Sequence, residues 1–240
     1  MPKPNLEWKV LPHGPLVEID PRIHVVEGQI PMPLLDLPRR MTIIRLASGE
    51  LLIWSAICLR EAEMETIEAD GRPGFLVIPS DHHRLDAAAW KQRFPALEVI
   101  TPPGSRARTE KVVQVDSTDP DFGDPDVRLV VVPGTGEEEA ALVVRRPSGT
   151  TLVLNDLVGN IRHSSGFGGW VLRTMGLAGD KAQVPKAVEL MIVESKKALS
   201  QQLEEWAAIP DLRRIIVSHG DIIDVAPQAV LRELAASLVE

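Results

Sequence analysis

Residues 77–86 read VIPSDHHRLD, an apolar run that ends at Pro79 and passes at once into a cluster of acids and histidines. The cluster consists of Asp81, His82, His83 and Asp86. Imidazole and carboxylate groups are typical ligands of zinc and iron, and loops at strand ends are where α/β proteins place their sites. The stretch therefore predicts a buried strand, a loop with candidate metal ligands, and a helix that begins near Asp86.

Each polar residue of this stretch also has an interpretation without chemistry. His82 and His83 fit exposed or helix-capping positions. Asp86 fits the N-cap of a helix over 86–94, which Pro95 would end. The choice between the two interpretations depends on whether other parts of the chain supply partners.

Three further apolar strands end in polar residues. They are RLVVVP before Gly134-Thr135-Gly136, TTLVL before Asn155-Asp156, and RRIIV before Ser218-His219-Gly220. Because strand ends on one side of a sheet share an edge, Asp156 and His219 are predicted to join residues 77–86 in one site. Taken singly, Asp156 fits an ordinary turn and His219 fits a bond to a backbone carbonyl. His163 is close enough in sequence to Asp156 to reach the same site.

The order of strands and helices predicts the fold class. Strands dominate both halves of the chain, including KVVQVD at 111–116. Helices are predicted over 61–69, 86–94, 170–175, 184–208 and 227–238. Such a chain packs compactly as two sheets face to face with helices outside each sheet. We therefore expect an α/β (α+β) protein, a four-layer αββα sandwich of two mixed β-sheets flanked by helices, in one domain over residues 1–240.

The composition limits the class of protein. Hydrophobic residues make up 44% of the 240 residues, which is enough for a full core. A net charge of −8 disfavours a nucleic-acid partner. Neither a membrane span nor the apolar segment of a signal peptide is visible, so we expect a cytoplasmic protein that acts on a small molecule. The only cysteine, Cys58, lies in the apolar run LLIWSAICL and is expected to be an inert core thiol. No sequence feature specifies an oligomeric state.

The series of strand-end motifs resembles that of the metallo-β-lactamase fold superfamily. The matching segments are IPSDHHRLD, VVPGTG, TLVLNDLV and IIVSHGD, and the resemblance spans about residues 15–238. The stretch RRMTIIRLASGELLIWSAICL, followed by a strand ending in Pro and a His-His pair, is similar to an uncharacterised branch of that superfamily. The resemblance implies a site built from the ends of these four strands.

The departures from the superfamily pattern define the expected ligand set. Against its first motif, His-x-His-x-Asp-His, this chain places Asp81 at the first His and His83 at the second. Leu85 replaces the Asp, Asp86 replaces the last His, and Thr135 replaces the His of the third motif. The resemblance therefore implies His83, Asp156 and His219 as metal ligands. His82, Asp81 and Asp86 are the possible substitutes, with one of the two carboxylates also acting as the catalytic base.

The expected function is a mononuclear metal-dependent hydrolase with degenerate motifs. Three protein ligands and an open water position suffice for a catalytic zinc. The resemblance thus implies one divalent metal, zinc first and iron or manganese as alternatives, or none. A non-catalytic binding or regulatory protein that keeps the fold is the alternative, and an iron redox protein is a third. The substrate, among esters, amides, thioesters and phosphoesters, is not encoded in any motif. The loop over 157–183 is expected to cover the mouth of the site.

Overall fold

The computed structural model describes residues 3–32, 36–162, 166–174 and 178–239. The chain divides into two compact units. The first comprises Met1–Pro31 and Pro38–Arg128, and the second comprises Met32–Leu37 and Leu129–Glu240. Each unit has its own sheet, and the single domain predicted over 1–240 stays a prediction.

The sheet of the first unit has six strands in the order β1-β2-β3-β4-β5-β6. The strands are β1 His13–Asp20, β2 Ile23–Pro31, β3 Asp36–Arg45, β4 Glu50–Trp54, β5 Arg72–Val77 and β6 Glu98–Ile100. β1 pairs with β2 and β3 with β4 in the antiparallel sense, whereas β4, β5 and β6 run parallel. The sheet is therefore mixed, and β3 and β4 form a hairpin.

Helices connect the parallel strands of this sheet. Helix α1, Glu61–Asp70, joins β4 to β5, while a 3₁₀ helix at Asp81–His83 and helix α2, Ala87–Arg93, join β5 to β6. After β6 come a 3₁₀ turn at Pro103–Ser105 and the short helix α3, Arg106–Thr109. The core of the unit joins aliphatic residues of the sheet to α1 and α2, and it includes Ile43, Ile53, Met64, Leu76 and Trp90.

The sheet of the second unit has four strands in the order β10-β9-β8-β7. They are β7 Val127–Val131, β8 Ala140–Arg146, β9 Gly149–Asn160 and β10 Leu212–Gly220. β8 and β9 form an antiparallel hairpin, whereas β9 and β10 are parallel. The helices of the unit are α4 Gly166–Thr174, α5 Lys186–Met191, α6 Lys196–Ala207 and α7 Pro227–Val239. The core includes Leu152, Leu199, Trp206, Val217 and Leu231.

Two predicted elements are wrong. Residues 111–116 form a turn and a loop without a strand. The single helix predicted over 184–208 is interrupted, because α5 ends at Met191 and α6 begins at Lys196. The break is stabilised locally, since the backbone amides of Glu194 and Ser195 donate to the carbonyl of Gly134 over 2.8 and 3.1 Å. The Ser195 side chain then accepts from the amide of Ala198 and caps α6. No helix in the described part of the chain is long and apolar enough to cross a membrane.

Candidate metal centre

The candidate residues belong to both units: His82, His83 and the two aspartates near them to the first, Asp156 and His219 to the second. In the first unit, His83 closes the 3₁₀ helix that follows β5, and its amide donates to the carbonyl of Ser80 over 3.0 Å. The imidazole Nδ1 lies 2.6 Å from the hydroxyl of Ser55, the first residue after β4. One ring nitrogen of His83 is therefore held by a neighbouring strand end, and the ring is oriented through Nδ1.

Asp81 is buried at the start of the same 3₁₀ helix. One carboxylate oxygen lies 3.0 Å from Nε of Arg108, and the other lies 3.7 Å from Nδ1 of His82. The amide of Asp81 donates to the hydroxyl of Ser105 over 3.1 Å. Asp81 therefore lies between a cation and an imidazole, and its predicted role as a catalytic base stays a prediction. His82, a predicted ligand, has a side chain that is 26% exposed.

Asp86 has no exposed surface, and both of its oxygens are engaged. Oδ2 lies 2.7 Å from Nη1 of Arg39 and accepts from the amide of Cys58, while Oδ1 accepts from the Asn5 side chain over 2.6 Å. The Asp86 side chain, which the structure describes, makes no N-cap hydrogen bond to helix α2, contrary to the prediction. It joins distant segments of the chain instead. Asp86 therefore acts as a structural ion-pair centre, and this environment does not favour the predicted catalytic role.

Cys58 belongs to the cluster around Asp86. The thiol is fully buried, and burial, followed by the charge of Asp86, raises its pKa to about 12. A thiol with so high a pKa carries almost no thiolate near neutral pH, and the thiolate is the reactive form. The structure thus supports the predicted inert core thiol.

In the second unit, β9 continues past the predicted strand end. Strand β10 pairs Val217 with Leu154 and then His219 with Gly159, so residues 155–158 of β9 bulge opposite the single residue Ser218. The prediction that β9 ends before Asn155-Asp156 is wrong, since the strand runs to Asn160. A bulge re-aims side chains without ending the strand, which is why residue alternation alone does not reveal it.

The bulge brings Asp156 and His219 together. Oδ1 of Asp156 lies 2.9 Å from Nε2 of His219, and both residues are buried. The ordinary-turn interpretation of Asp156 is therefore wrong, because the residue lies inside a strand. A carboxylate oxygen and an imidazole nitrogen that face each other at this distance are two ligand atoms of the types that zinc binds.

A buried polar network holds Asn155, the first residue of the bulge. This network was not predicted from the sequence. The side-chain amide of Asn155 donates to the carboxylate of Glu139, the residue before β8, and the hydroxyl of Ser218 donates to Oδ1 of Asn155 over 2.9 Å. All three side chains are almost completely buried. The available signal was the acid at 139, which directly precedes the wholly apolar run AALVV.

Thr135 and Leu85 stand where the resemblance expects ligands. Thr135 is fully buried, and its hydroxyl donates to the carbonyl of Val132 over 2.8 Å, inside its own turn. The side chain of Leu85 is a hydrocarbon and offers no ligand atom. His163 and Met175 lie outside the described residues. The described residues therefore supply few of the ligands that a second metal would need.

The fold described above is similar to solved structures of metallo-β-lactamases. FIM-1 from Pseudomonas aeruginosa, in its mono-zinc form, has a TM-score of 0.61 at 12% identity, over 95% of this chain and 97% of that chain. A metallo-β-lactamase from Hirschia baltica has 0.60 at 12%, over 93% and 98%. One from Erythrobacter litoralis, with β-mercaptoethanol in the active site, has 0.63 at 10%, over 92% and 96%. No protein-family model and no curated protein sequence matches the chain.

The chain therefore has the metallo-β-lactamase fold, as its strand-end motifs indicated. The predicted α/β class with two mixed sheets and accompanying helices is confirmed. At sequence identities of 10–12%, the similarity shows a shared fold and does not show a shared activity.

Proposed function

We propose that this protein is a metal-dependent hydrolase that holds one divalent metal, zinc in the first place, through His83, Asp156 and His219. The observation that carries the proposal is the pair of Asp156, in the bulge of β9, and His219, in β10, whose ligand atoms lie 2.9 Å apart. Each of the three residues offers one ligand atom of a type that binds metal. Two imidazoles and one carboxylate form a donor set known from catalytic zinc sites.

The one-metal stoichiometry is supported by two observations. Leu85 has no donor atom, and the hydroxyl of Thr135 is used within its own turn. A lactamase of the same fold, FIM-1, has been solved in a mono-zinc form, so a single-metal state is possible on this scaffold. Three protein ligands leave one position for water in a tetrahedral site.

The chemistry that a bound zinc supplies is a hydroxide at near-neutral pH, because the metal lowers the pKa of its water to about 7. The residues around the site orient the metal ligands. Ser55 holds the ring of His83 through Nδ1, and the network of Glu139 and Asn155 holds the bulge that carries Asp156. Such partners fix ligand geometry and tune affinity.

We assign the role of proton acceptor to Asp81 rather than Asp86. A base must reach the water that it deprotonates, and Asp86 has no exposed surface and spends both oxygens on structural partners. Asp81 precedes His83 by two positions and keeps Arg108 beside one oxygen. The substrate class that fits this proposal is a small ester, amide, thioester or phosphoester, acted on in the cytoplasm. The oligomeric state is left open.

Metal analysis of matched histidine variants tests the proposal. Protein purified without chelator and reloaded with zinc should hold about one equivalent. His83→Ala and His219→Ala should hold less than about a tenth of an equivalent while remaining folded. His82→Ala is the matched control and should retain the metal, because Ser55 orients the ring of its neighbour His83. Wild-type protein that holds no metal after reloading would overturn the proposal.

A non-catalytic binding or regulatory protein is the second candidate. The loss of ligands at Leu85 and Thr135 favours it, since these positions contribute nothing to metal binding in this chain. Turnover of a generic panel of esters, thioesters and phosphodiesters separates the two candidates. Turnover that disappears in His219→Ala supports the hydrolase, whereas full zinc occupancy without turnover of any panel member supports the binding protein.

A further inference from the structure

Ser55 has a backbone conformation that side-chain-bearing residues rarely adopt. Its φ is 55°, and the other non-glycine residues with positive φ in the described ranges are Arg22, Glu137 and Ala226. Those three are exposed, whereas Ser55 is buried with 5% of its surface accessible. Surrounding structure must maintain the strain of such a buried residue, and strained residues of this kind cluster at functional sites.

The backbone at Ser55 is fixed by the sheet. Trp54 is the last residue of β4 and pairs with Val77, the last residue of β5. The amide of Ser55 then donates to the carbonyl of Val77 over 3.1 Å. The left-handed residue therefore ends β4 at the point where β5 also ends. Glycine would adopt this conformation without the steric penalty of a Cβ atom, so strand termination alone does not require serine.

What serine adds is the hydroxyl, whose oxygen lies 2.6 Å from Nδ1 of His83. A neutral imidazole carries its proton on one nitrogen and a lone pair on the other. If Nδ1 carries the proton and donates it to Ser55, the lone pair is on Nε2. Metal-ligating histidines are commonly oriented by such a bond from the second ring nitrogen.

We propose that Ser55 is a positioning residue that holds His83 as the Nδ1-protonated tautomer, with Nε2 as its ligand atom. The consequence of this inference, an effect on metal binding, rests on the proposed function. The contact itself joins Ser55 and His83, which both belong to the first unit. The strained backbone at position 55 is retained because the left-handed turn carries the hydroxyl to the ring. Ser55 touches neither substrate nor metal and acts through His83.

The test compares Ser55→Gly with Ala226→Gly, two changes that remove a Cβ from a left-handed residue. Ala226 is exposed and lies before α7, so its variant controls for the release of strain. We expect Ala226→Gly to leave zinc affinity unchanged. Ser55→Gly should lower zinc affinity about 10- to 100-fold while its denaturation midpoint stays at or above that of the wild type. Ser55→Ala, which keeps the strain, should lose affinity to the same extent.

Nitrogen NMR of the metal-free protein at pH 8.5 provides a readout that does not depend on metal. Wild-type His83 should be protonated on Nδ1, and Ser55→Gly should shift the ring towards protonation on Nε2. An unchanged tautomer, or zinc affinity within twofold of the wild type, would overturn the inference. A wild type that binds no zinc but shows the tautomer shift would instead overturn the proposed function and leave the role of Ser55 standing.

Discussion

The two stretches that carry the candidate ligands treat their carboxylates differently. In the first unit, Asp81 faces Arg108 at 3.0 Å and Asp86 faces Arg39 at 2.7 Å. In the second unit, Asp156 faces an imidazole, that of His219, at 2.9 Å. The first arrangement balances each negative charge with a permanent cation, whereas the second pairs a carboxylate with an imidazole, and both of these groups can bind a metal ion.

This difference separates structural carboxylates from ligand carboxylates. An arginine that is always charged keeps its partner ionised and occupied, which suits a structural contact. The neutral form of an imidazole is itself a metal ligand, so a cation can bind between it and a carboxylate. The comparison predicts that substitution of Asp86, whose arginine partner is buried, changes stability, and that substitutions in the His-paired group change metal binding.

Asp86→Asn should have the largest effect on stability. The change removes the charge that compensates buried Arg39, and breaking a buried ion pair by loss of one partner costs about 3–5 kcal/mol. Denaturant unfolding measures the loss, and zinc bound per folded molecule should stay at the wild-type level. Asp70→Asn, at the more exposed pair with Arg45, is the control and should cost less than about 1 kcal/mol. Loss of zinc without loss of stability would restore Asp86 to the site.

Glu139→Ala should come next. The change leaves the buried side-chain amide of Asn155 without its Glu139 carboxylate, which costs about 1–3 kcal/mol. Because Asn155 belongs to the bulge that carries Asp156, zinc affinity should fall as well. Glu137→Ala, at an exposed position in the same turn, should change stability by less than about 0.5 kcal/mol. Unchanged zinc affinity in Glu139→Ala would show that the network does not support the site.

The raised pKa of Cys58 leads us to expect a loss of stability in alkaline solution. Its pKa is about 12 in the folded protein against an ordinary value of 9.0, so between those values the folded state binds more protons than the unfolded state. Stability therefore falls as pH rises, by about 1 kcal/mol between pH 8 and 10 from this group. Comparing the wild type with Cys58→Ala isolates the contribution. Equal pH slopes in the two proteins would contradict the assignment of a buried, neutral thiol.

Asp81→Asn should have the smallest effect on stability. Its partner Arg108 has a side chain that is 44% exposed, so solvent screens the pair and the cost should stay below about 1 kcal/mol. Zinc binding should persist, while turnover should fall about 10²- to 10⁴-fold if the carboxylate is the base. Unaltered turnover in Asp81→Asn would remove it from the mechanism and leave the metal proposal intact.

The sequence contained the fold in its strand-end motifs and its hydrophobic patterns. Apolar runs such as LLIWSAI and GFLVIP have the pattern of buried strands, and the two hairpins follow from turn residues. The break between α5 and α6 could not be seen in the sequence, because the apolar residues before and after it keep the same helical spacing. The carbonyl of Gly134, distant in sequence, stabilises the interruption by accepting from the amides of Glu194 and Ser195.

The candidate site was less predictable than the fold. The residue types at 83, 156 and 219 were visible in sequence, but their partners depend on tertiary structure. Arg39 pairs with Asp86 from 47 positions away in the sequence, and Arg108 pairs with Asp81 from 27 positions away. Arg39 begins the quoted stretch RRMTIIRLASGELLIWSAICL, but nothing in that stretch marks it as the partner of Asp86, and Arg108 belongs to no quoted motif. A single sequence cannot tell a carboxylate that binds metal from one that binds arginine.

The central claim is that His83, Asp156 and His219 hold one metal. Anomalous diffraction from zinc-loaded crystals, measured above and below the zinc edge, tests it most directly. The account predicts one peak per chain, with Nε2 of His83 and of His219 at about 2.0–2.1 Å and a carboxylate oxygen of Asp156 at about 2.0–2.2 Å. A chain without a peak, or a zinc bound by other residues and by none of these three, would contradict it.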